Sequence, residues 1–321
     1  MLAVYVINRV LQLIPVLFLV SLIVYFTVRL IPGDPVLVIL GVDADPAATY
    51  NQEQYRALQR QLGLDRPVYV QYFNWLDKTV RGNFGISLRS RRPVIDVIRE
   101  RYPATIYLAI TALLIAVLIA IPAGVIAAAR QNTWSDYAAM GYAMWGLAMP
   151  NFWLALMLIV LFSVKLGWLP SIGYTSPFEN TFRFLQHVFL PAIVLGTELA
   201  ASLTRYVRAE MLEQLRQDYV RTAWAKGLPA RMVIVKHAFR NSLIAAVTVI
   251  GLDTARLLGG STIIETVFTW PGVGSLLIEA IYARDFPVVQ GCVLIIALTY
   301  VMINLVVDIA YKWLDPRITL E

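Results

Sequence analysis

The sequence has almost none of the residues from which metal and redox sites are built. Cys292 is the only cysteine, so neither an intrachain disulfide nor a cysteine-based metal site is possible. The two histidines, His187 and His237, fall on opposite sides of the membrane in the topology derived below, so they cannot share a metal ion. The ATP-binding pattern G-x-x-x-x-G-K-[ST] is also missing. We therefore expect a chain that binds no cofactor of its own and is not an enzyme.

Charge is scarce as well, since 15% of the 321 residues are charged and 59% are apolar. This composition is far from that of an average soluble domain and predicts a polytopic membrane protein in a lipid bilayer. The first long apolar run, at about 10–30, would rise roughly 31 Å as a helix, which is the thickness of a hydrocarbon core. We predict an all-α protein with six transmembrane helices, at about 10–30, 104–129, 137–164, 188–204, 241–264 and 288–311.

An even number of spans puts both termini on one side of the membrane, and the basic residues indicate which side. The two short loops on the other side hold only Lys165, Arg183 and Arg284. The segments on the terminal side hold Arg9, Arg130, Arg205, Arg208, Arg216, Arg221, Lys226, Arg231, Lys236, Arg240, Lys312 and Arg317. This bias predicts cytoplasmic termini, and the net charge of +6 therefore reflects membrane orientation rather than nucleic-acid binding.

The spans divide the chain into three predicted parts. Residues 1–102 would form an anchor helix, uncleaved because its apolar run is too long for a signal peptide, and a long external segment. That segment reads as a surface helix at Gln52–Leu62 with turns at 63–67, 81–85 and 91–93. Residues 103–311 would form a core of five spans with a loop at 205–240, and residues 312–321 a cytoplasmic tail.

The most informative part of that loop runs from Asp218 to Leu228, between two apolar runs of membrane-spanning length. The spacing of its apolar residues predicts a short helix with one apolar face, formed by Tyr219, Val220, Ala223 and Trp224. Asp218 would cap its start, and Gly227 would end it in a left-handed conformation. Pro229 suits the first turn of a second helix, so we expect two helices at a sharp bend. That second helix would carry Arg231, Lys236 and Arg240.

This segment resembles the ATPase-coupling loop of ABC importer permeases of type I, in the form used by the dipeptide, oligopeptide, glutathione and nickel group. The general pattern begins Glu-Ala-Ala; Arg221-Thr222-Ala223 stands at that place, and Gly227 follows at the expected distance. The Glu is missing, and the later Leu-Pro of the general pattern falls on Phe239-Arg240, so the match is to this group's version. Further matches are Pro32-Gly-Asp-Pro35, Leu62-Gly-Leu-Asp-Arg-Pro67, Gly85-Ile-Ser87, Pro150-Asn-Phe-Trp153, Trp168-Leu-Pro170, Gly259-Gly-Ser261, Glu265 with Trp270-Pro-Gly-Val-Gly274, Asn304-Leu-Val-Val-Asp308 and Asp315-Pro-Arg-Ile318.

The resemblance implies a multi-pass protein of the bacterial inner membrane. It would pair with a second, non-identical permease subunit, two ATPase subunits that bind ATP and Mg²⁺, and an extracytoplasmic solute-binding protein. The ATPase-coupling residues would be Tyr219, Arg221, Thr222, Ala223, Trp224, Lys226 and Gly227. Trp224 and Tyr219 suit an ATPase groove, with Arg221 and Lys226 setting orientation. On the residues alone, the same loop could instead lie on anionic lipid headgroups.

Three charges fall inside or near the ends of the predicted spans: Glu198, Asp253 and Arg256. An ionised side chain at mid-depth costs about 2.5–3.5 kcal/mol on insertion scales, so these groups must face protein or water. Asp253 and Arg256 are three residues apart on one helix and can neutralise each other. All three can instead line a polar path for a peptide, whose two ends are an ammonium and a carboxylate. They are not part of the family pattern.

Four other features have mainly structural interpretations. Pro150 and Pro191 are expected to kink their helices, with Asn151 satisfying a carbonyl that Pro150 frees. The segment Trp270-Pro-Gly-Val-Gly274 reads as a tight external turn, which either touches the binding protein or is plain loop geometry. Asp308 is four residues from Lys312 and can pair with it.

Several functions are compatible with the sequence. The leading one is a permease subunit for ATP-driven uptake of dipeptides or oligopeptides. The same architecture could import nickel chelates, glutathione or an opine-like compound, because the motifs do not encode the solute. A channel or ion-coupled carrier is the rival of another class. A membrane-embedded enzyme would need a cluster of His, Cys or paired acidic groups at catalytic spacing, which the sequence lacks.

Overall fold

A computed structural model describes residues 2–29, 35–40, 51–61 and 63–314, and all the regular elements among them are helices. Residues 32–34 of the Pro32-Gly-Asp-Pro35 motif, Leu62 and the tail beyond residue 314 lie outside the described residues. The chain divides into two compact units, which we describe separately. The core unit contains residues 106–270 with the described parts of 1–6 and 300–321. The N-terminal unit contains the described parts of 7–105 and residues 271–299.

The helices follow one another with few long connections. In chain order they are α1 (Leu2–Val28), α2 (Pro35–Leu40), α3 (Gln52–Gln61), α4 (Val68–Val80), α5 (Val94–Ala129), α6 (Trp134–Ala148), α7 (Asn151–Leu158) with its π-helical continuation π1 (Ile159–Lys165), α8 (Thr181–Leu215), α9 (Asp218–Ala225), α10 (Ala230–Met232) with its π-helical continuation π2 (Val233–Phe239), α11 (Arg240–Gly260), α12 (Thr262–Val267), α13 (Val273–Tyr282) and α14 (Phe286–Leu314).

Three of the described helices are long and apolar enough to cross a membrane: α5, α8 and the part of α14 up to Ile309. A fourth span results if the bent pair made of α6 and Asn151–Lys165 counts as one. The prediction of an all-α membrane protein is therefore confirmed. The count of six spans and the side on which the termini lie stay predictions.

The predicted span at 137–164 is not straight. Its two halves, Trp134–Ala148 and Asn151–Lys165, meet at an angle of 102°. Met149 is extended, with φ −79° and ψ 125°, which is the conformation that a following proline imposes. Pro150 thus breaks this helix completely, which is a larger effect than the expected kink. Pro191 lies inside α8, which continues through it without a break.

The observed helices α5 and α8 extend beyond the apolar runs from which their spans were predicted. The helix α5 begins at Val94 and not near residue 104, and α8 extends over Thr181–Leu215 and not only over 188–204. Helices continue past the lipid-facing stretch because backbone hydrogen bonding does not depend on side-chain polarity. The helix α8 therefore occupies part of the loop predicted at 205–240.

The external segment holds the predicted surface helix, observed as α3, and the predicted turns, where Gly63, Gly82 and Gly85 have φ of 71°, 80° and 87°. The sequence analysis missed α4. Its aromatic face packs on α1 within the N-terminal unit: the hydroxyls of Ser21 and Tyr72 are 2.8 Å apart, and the rings of Tyr25 and Tyr72 are 5.3 Å apart. This packing of α4 on α1 joins residues that are far apart in the sequence, so the local spacing of apolar residues did not reveal the packing.

The helix α8 is the centre of the core unit. Buried residues make up 67% of its most apolar stretch, against 28% for α5 and 17% for α14. Small residues allow close approach of its neighbours: a Cβ at Gly124 would lie 2.8 Å from the Val207 side chain, and one at Gly146 would lie 2.8 Å from the Ala201 side chain. Such small-residue contacts are how helices pack in membranes.

An ion pair fixes the start of α6 to α8 inside the core unit. Arg208 donates two hydrogen bonds to Asp136, with Nη2 2.7 Å from Oδ2, and the side chain of Asp136 is only 3% exposed. The backbone N–H of Asn132 donates to the same carboxylate at 3.0 Å. This pair was not predicted from the sequence, because 72 residues separate the two charges.

Asp136→Asn is expected to destabilise the core unit by about 3 kcal/mol, because it leaves the Arg208 guanidinium without its buried counter-charge. The matched control is Asp77→Asn, which breaks an exposed pair, 2.9 Å from Arg81, that is worth less than about 1 kcal/mol. Thermal unfolding of the detergent-solubilised variants measures both. Equal unfolding temperatures for the two variants would contradict this account of the buried pair.

Candidate functional site

The helix predicted after Asp218 is present as α9 and begins where expected. The predicted cap is wrong. Gln217 occupies the N-cap position, and in the described part of the chain its side chain makes no capping hydrogen bond. Asp218 is the first helical residue, and its Oδ1 lies 3.5 Å from Nη1 of Arg221. An acidic group in the first turn still favours the helix through its dipole.

The predicted helix end is confirmed. Gly227 has φ of 73°, its N–H donates to the Trp224 carbonyl at 2.9 Å, and the N–H of Leu228 donates to the Ala223 carbonyl at 3.4 Å. These two bonds form a Schellman motif, which ends a helix at a left-handed glycine. Pro229 follows at the N-cap of α10 and not inside its first turn. The motif and the proline together set where the chain leaves α9 and where α10 begins.

A small apolar cluster holds α9 on its own chain. Val220 and Ala223 are buried against Val233 of π2, and Leu215 and Leu228 pack around them. The sequence analysis predicted one apolar face that also included Tyr219 and Trp224. These two side chains are 39% and 46% exposed. Only Val220 and Ala223 of the predicted apolar face are therefore buried, and Tyr219 and Trp224 lie at its border.

A polar cluster ties α9 to the helices before and after it. The Tyr219 hydroxyl donates to Oε1 of Gln214 at 2.7 Å and accepts from Nδ2 of Asn241 at 2.9 Å. Asn241 also donates to the His237 carbonyl at 3.2 Å. The helices α8, α9 and α11 therefore meet at one phenol group. The sequence analysis missed Gln214 and Asn241, because a single sequence gives no signal for a bond across 22 residues.

The outward side of α9 combines an exposed aromatic with exposed cations. Trp224, Arg221 and Lys226 are all exposed. Thr222 is exposed too, and its hydroxyl donates a hydrogen bond to the Asp218 carbonyl at 2.9 Å. Of the seven residues predicted for coupling, Ala223 and Gly227 thus shape the helix, and the Tyr219 hydroxyl also ties it to its neighbours. Trp224, Arg221, Thr222 and Lys226 are exposed, and the assignment of all seven residues to coupling stays a prediction.

The three intramembrane charges have different surroundings. Glu198 is exposed at the middle of the 35-residue helix α8, and its carboxylate accepts a hydrogen bond from Nδ2 of Asn151. This bond corrects the expectation that Asn151 satisfies a freed carbonyl. Asp253 is buried on α11, at 8% exposure. Arg256 is on the same helix, but its side chain lies outside the described residues, as does that of Lys312, so the pairs predicted for Asp253 and Asp308 stay predictions.

The first residue of the turn at 270–274 lies in the protein interior. Trp270 is fully buried, and its ring contacts those of Tyr174, at 4.8 Å and 86°, and Phe184, at 6.3 Å. Burial raises the pKa of the Tyr174 phenol, which favours the neutral hydroxyl. The N–H of Trp270 donates to the carbonyl of Glu265 at 2.7 Å. The Trp270 side chain is therefore a packing residue, which favours the loop-geometry interpretation of this turn over contact with a binding protein.

Two family descriptions match nearly the whole chain. Residues 120–320 match the binding-protein-dependent transport system inner membrane component, and residues 1–109 match the N-terminal region of such membrane components. The glutathione transport system permease protein GsiC of Escherichia coli strain K12 is 43% identical over 314 residues, which are 98% of each chain. The protein of the same name from Shigella flexneri has the same identity and coverage.

A solved structure supports the fold independently. The methionine ABC transporter MetNI, in an inward-facing conformation, aligns with a TM-score of 0.57 over 68% of this chain and 96% of the other. The sequence identity is 16%, so this likeness concerns the fold alone. The family matches and the sequence relatives show that the chain belongs to the inner-membrane components of binding-protein-dependent transport systems, as a permease subunit of an ABC importer of the peptide and glutathione group.

Proposed function

We propose that this chain forms the membrane path of an ATP-driven importer of short peptides, which an extracytoplasmic binding protein delivers. Glutathione is itself a tripeptide, and the 43% identity to glutathione permeases over 98% of both chains makes it the first solute to test. The observation that carries the energy-coupling part of the proposal is the geometry of α9: a helix fixed to its own chain through Val220 and Ala223, with Trp224, Arg221 and Lys226 exposed.

The energy would come from two partner ATPase subunits, which bind ATP and Mg²⁺, and enter through α9. The Tyr219 cluster and the Val220 cluster join α9 to both α8 and α11, so a displacement of α9 is passed to two long helices of the core unit. A helix held in this way acts as a rigid body, because packed interiors resist compression. A second, non-identical permease subunit would supply the other half of the path.

Trp224 would provide most of the affinity for the ATPase. Burying a large apolar side chain in a partner groove contributes about 1.5–3 kcal/mol. Arg221 and Lys226 are also exposed and would set the orientation of docking, since rim charges act mainly on orientation and association rate. This division of roles matches the usual arrangement of an aromatic hot spot with a polar rim.

The test is uptake by the complete transporter in proteoliposomes, with ATP on the side of the ATPase subunits. Labelled glutathione, a labelled dipeptide and a nickel chelate are offered with the binding protein on the opposite side. We expect uptake of glutathione or the dipeptide that requires both ATP and the binding protein. Uptake without ATP would contradict the coupling proposal, and uptake of the nickel chelate alone would contradict the proposed solute.

A further inference from the structure

One face of α8 differs from the rest of this helix. Glu198, Arg205 and Ala209 are exposed and Ser202 is half-buried, and these four positions follow one another at intervals of four, three and four residues. That spacing places them on a single face of a helix. The residues between them are mostly buried, among them Leu199, Ala200, Ala201, Leu203, Thr204 and Val207. The most buried of the membrane-spanning helices thus keeps one open face with an acid and a base on it.

Glu198 falls within the span predicted at 188–204, where an ionised side chain is stable only against water or other protein groups. We therefore expect this part of the open face to border water or protein and not lipid tails. The Asn151 amide donates to Oε2 of the carboxylate and holds it in place. A carboxylate accepts hydrogen bonds at both oxygens, so Oε1 can receive a donor from outside the chain.

We propose that this face of α8 lines the solute path and that Glu198 binds the ammonium group of the peptide in transit, while Arg205 receives its carboxylate. This inference rests on the proposed function. The two residues are seven positions apart, which is roughly 10.5 Å of helix rise. Three extended residues span at most about 10–11 Å, so the rise between these two positions is comparable with the length of a tripeptide.

The Asn151 contact explains why the acid stands at this depth. Asn151 is the first residue of α7, directly after the break at Pro150, so the bent segment brings an amide donor to the middle of α8. A straight helix at 134–165 would not place the start of a helix there. The bend at Pro150 therefore places Asn151 where its amide orients the Glu198 carboxylate, and Asn151 is a positioning residue for Glu198.

The alternative occupant of this face is a basic side chain of the second permease subunit. Accessibility to a thiol reagent distinguishes a face covered by that subunit from a face that lines the solute path. In the complete transporter with Cys292→Ser, a small cationic methanethiosulfonate is applied to Ser202→Cys, which lies on the same face and leaves Glu198 and Arg205 in place, with Leu118→Cys on the exposed apolar side of α5 as the control. We expect Ser202→Cys to react in the absence of solute and to be protected when excess glutathione and binding protein saturate transport, and Leu118→Cys to stay unmodified. Failure of Ser202→Cys to react in either condition would overturn the path assignment.

A second measurement tests the charge itself. Glu198→Gln keeps the size of the side chain and an acceptor for Asn151, and Glu213→Gln removes an exposed charge from the same helix as a matched control. We expect Glu198→Gln to lower the amount of glutathione taken up per ATP hydrolysed about tenfold, and Glu213→Gln to leave it unchanged. Stimulation of ATP hydrolysis by the loaded binding protein should persist in both.

This measurement distinguishes an error in the role assigned to Glu198 from an error in the proposed function. If the wild-type transporter takes up no peptide, the proposed function is wrong. If the wild type takes up peptide and Glu198→Gln matches it, the assignment of Glu198 to the ammonium group is wrong. Loss of binding-protein-stimulated ATP hydrolysis in Glu198→Gln would also overturn it, because the residue would then act in coupling and not in the path.

Discussion

Gly227→Val should reduce ATP-driven uptake at least tenfold while leaving the protein inserted in the membrane. Gly227 has φ of 73°, and a β-branched residue in this left-handed region costs at least about 1–2 kcal/mol. A Cβ at this position would meet no atom of the described residues within 4 Å, so the strain comes from the backbone and not from a clash. The strain is relieved by opening the Schellman motif, which changes the end of α9 and the start of α10.

The chain offers a close control for this substitution. Gly82 has φ of 80° and likewise meets no described atom within 4 Å of a Cβ, but it lies in a turn of the N-terminal unit. We expect Gly82→Val to keep near-normal uptake and Gly227→Asn, which tolerates the left-handed region, to keep most of it. Full uptake by Gly227→Val would show that the geometry of this helix end does not matter for coupling.

Trp270→Ala should cost the core unit about 3–5 kcal/mol of stability, the usual range for deleting a large buried aromatic. Trp270 is among the largest fully buried side chains, and it loses its ring contacts with Tyr174 and Phe184. Trp134, which is 82% exposed, provides the control Trp134→Ala. Thermal unfolding in detergent should give a much lower midpoint for Trp270→Ala than for Trp134→Ala. Similar midpoints would mean that Trp270 does not stabilise the folded protein.

The sequence was sufficient to predict features that depend on neighbouring residues. The helix α9 follows from apolar spacing over a few positions, and the left-handed Gly227 follows from its place directly after that helix. The long apolar runs gave the membrane class, because a stretch of that length has no other stable environment. The coupling residues were predicted by resemblance: those from Tyr219 to Trp224 lie on α9, and Lys226 and Gly227 follow directly after it. Their role in coupling stays a prediction.

Features that depend on distant residues were missed. Gln214 and Asn241 engage the Tyr219 hydroxyl, and only the packing of α8 against α11 brings them together. The Asp136–Arg208 pair and the packing of α4 on α1 are of the same kind. Single-sequence patterns report local periodicity and carry no information on which helices become neighbours.

Trp224 of α9 is expected to contact an ATPase subunit directly. A photoreactive amino acid in place of Trp224 tests this contact in the complete transporter, with the same amino acid in place of Trp168, which is 65% exposed in the loop after π1, as the control. We predict a covalent adduct with the ATPase from position 224 and none from position 168. An adduct from position 224 with lipid alone would contradict it and would show that α9 lies on the membrane surface.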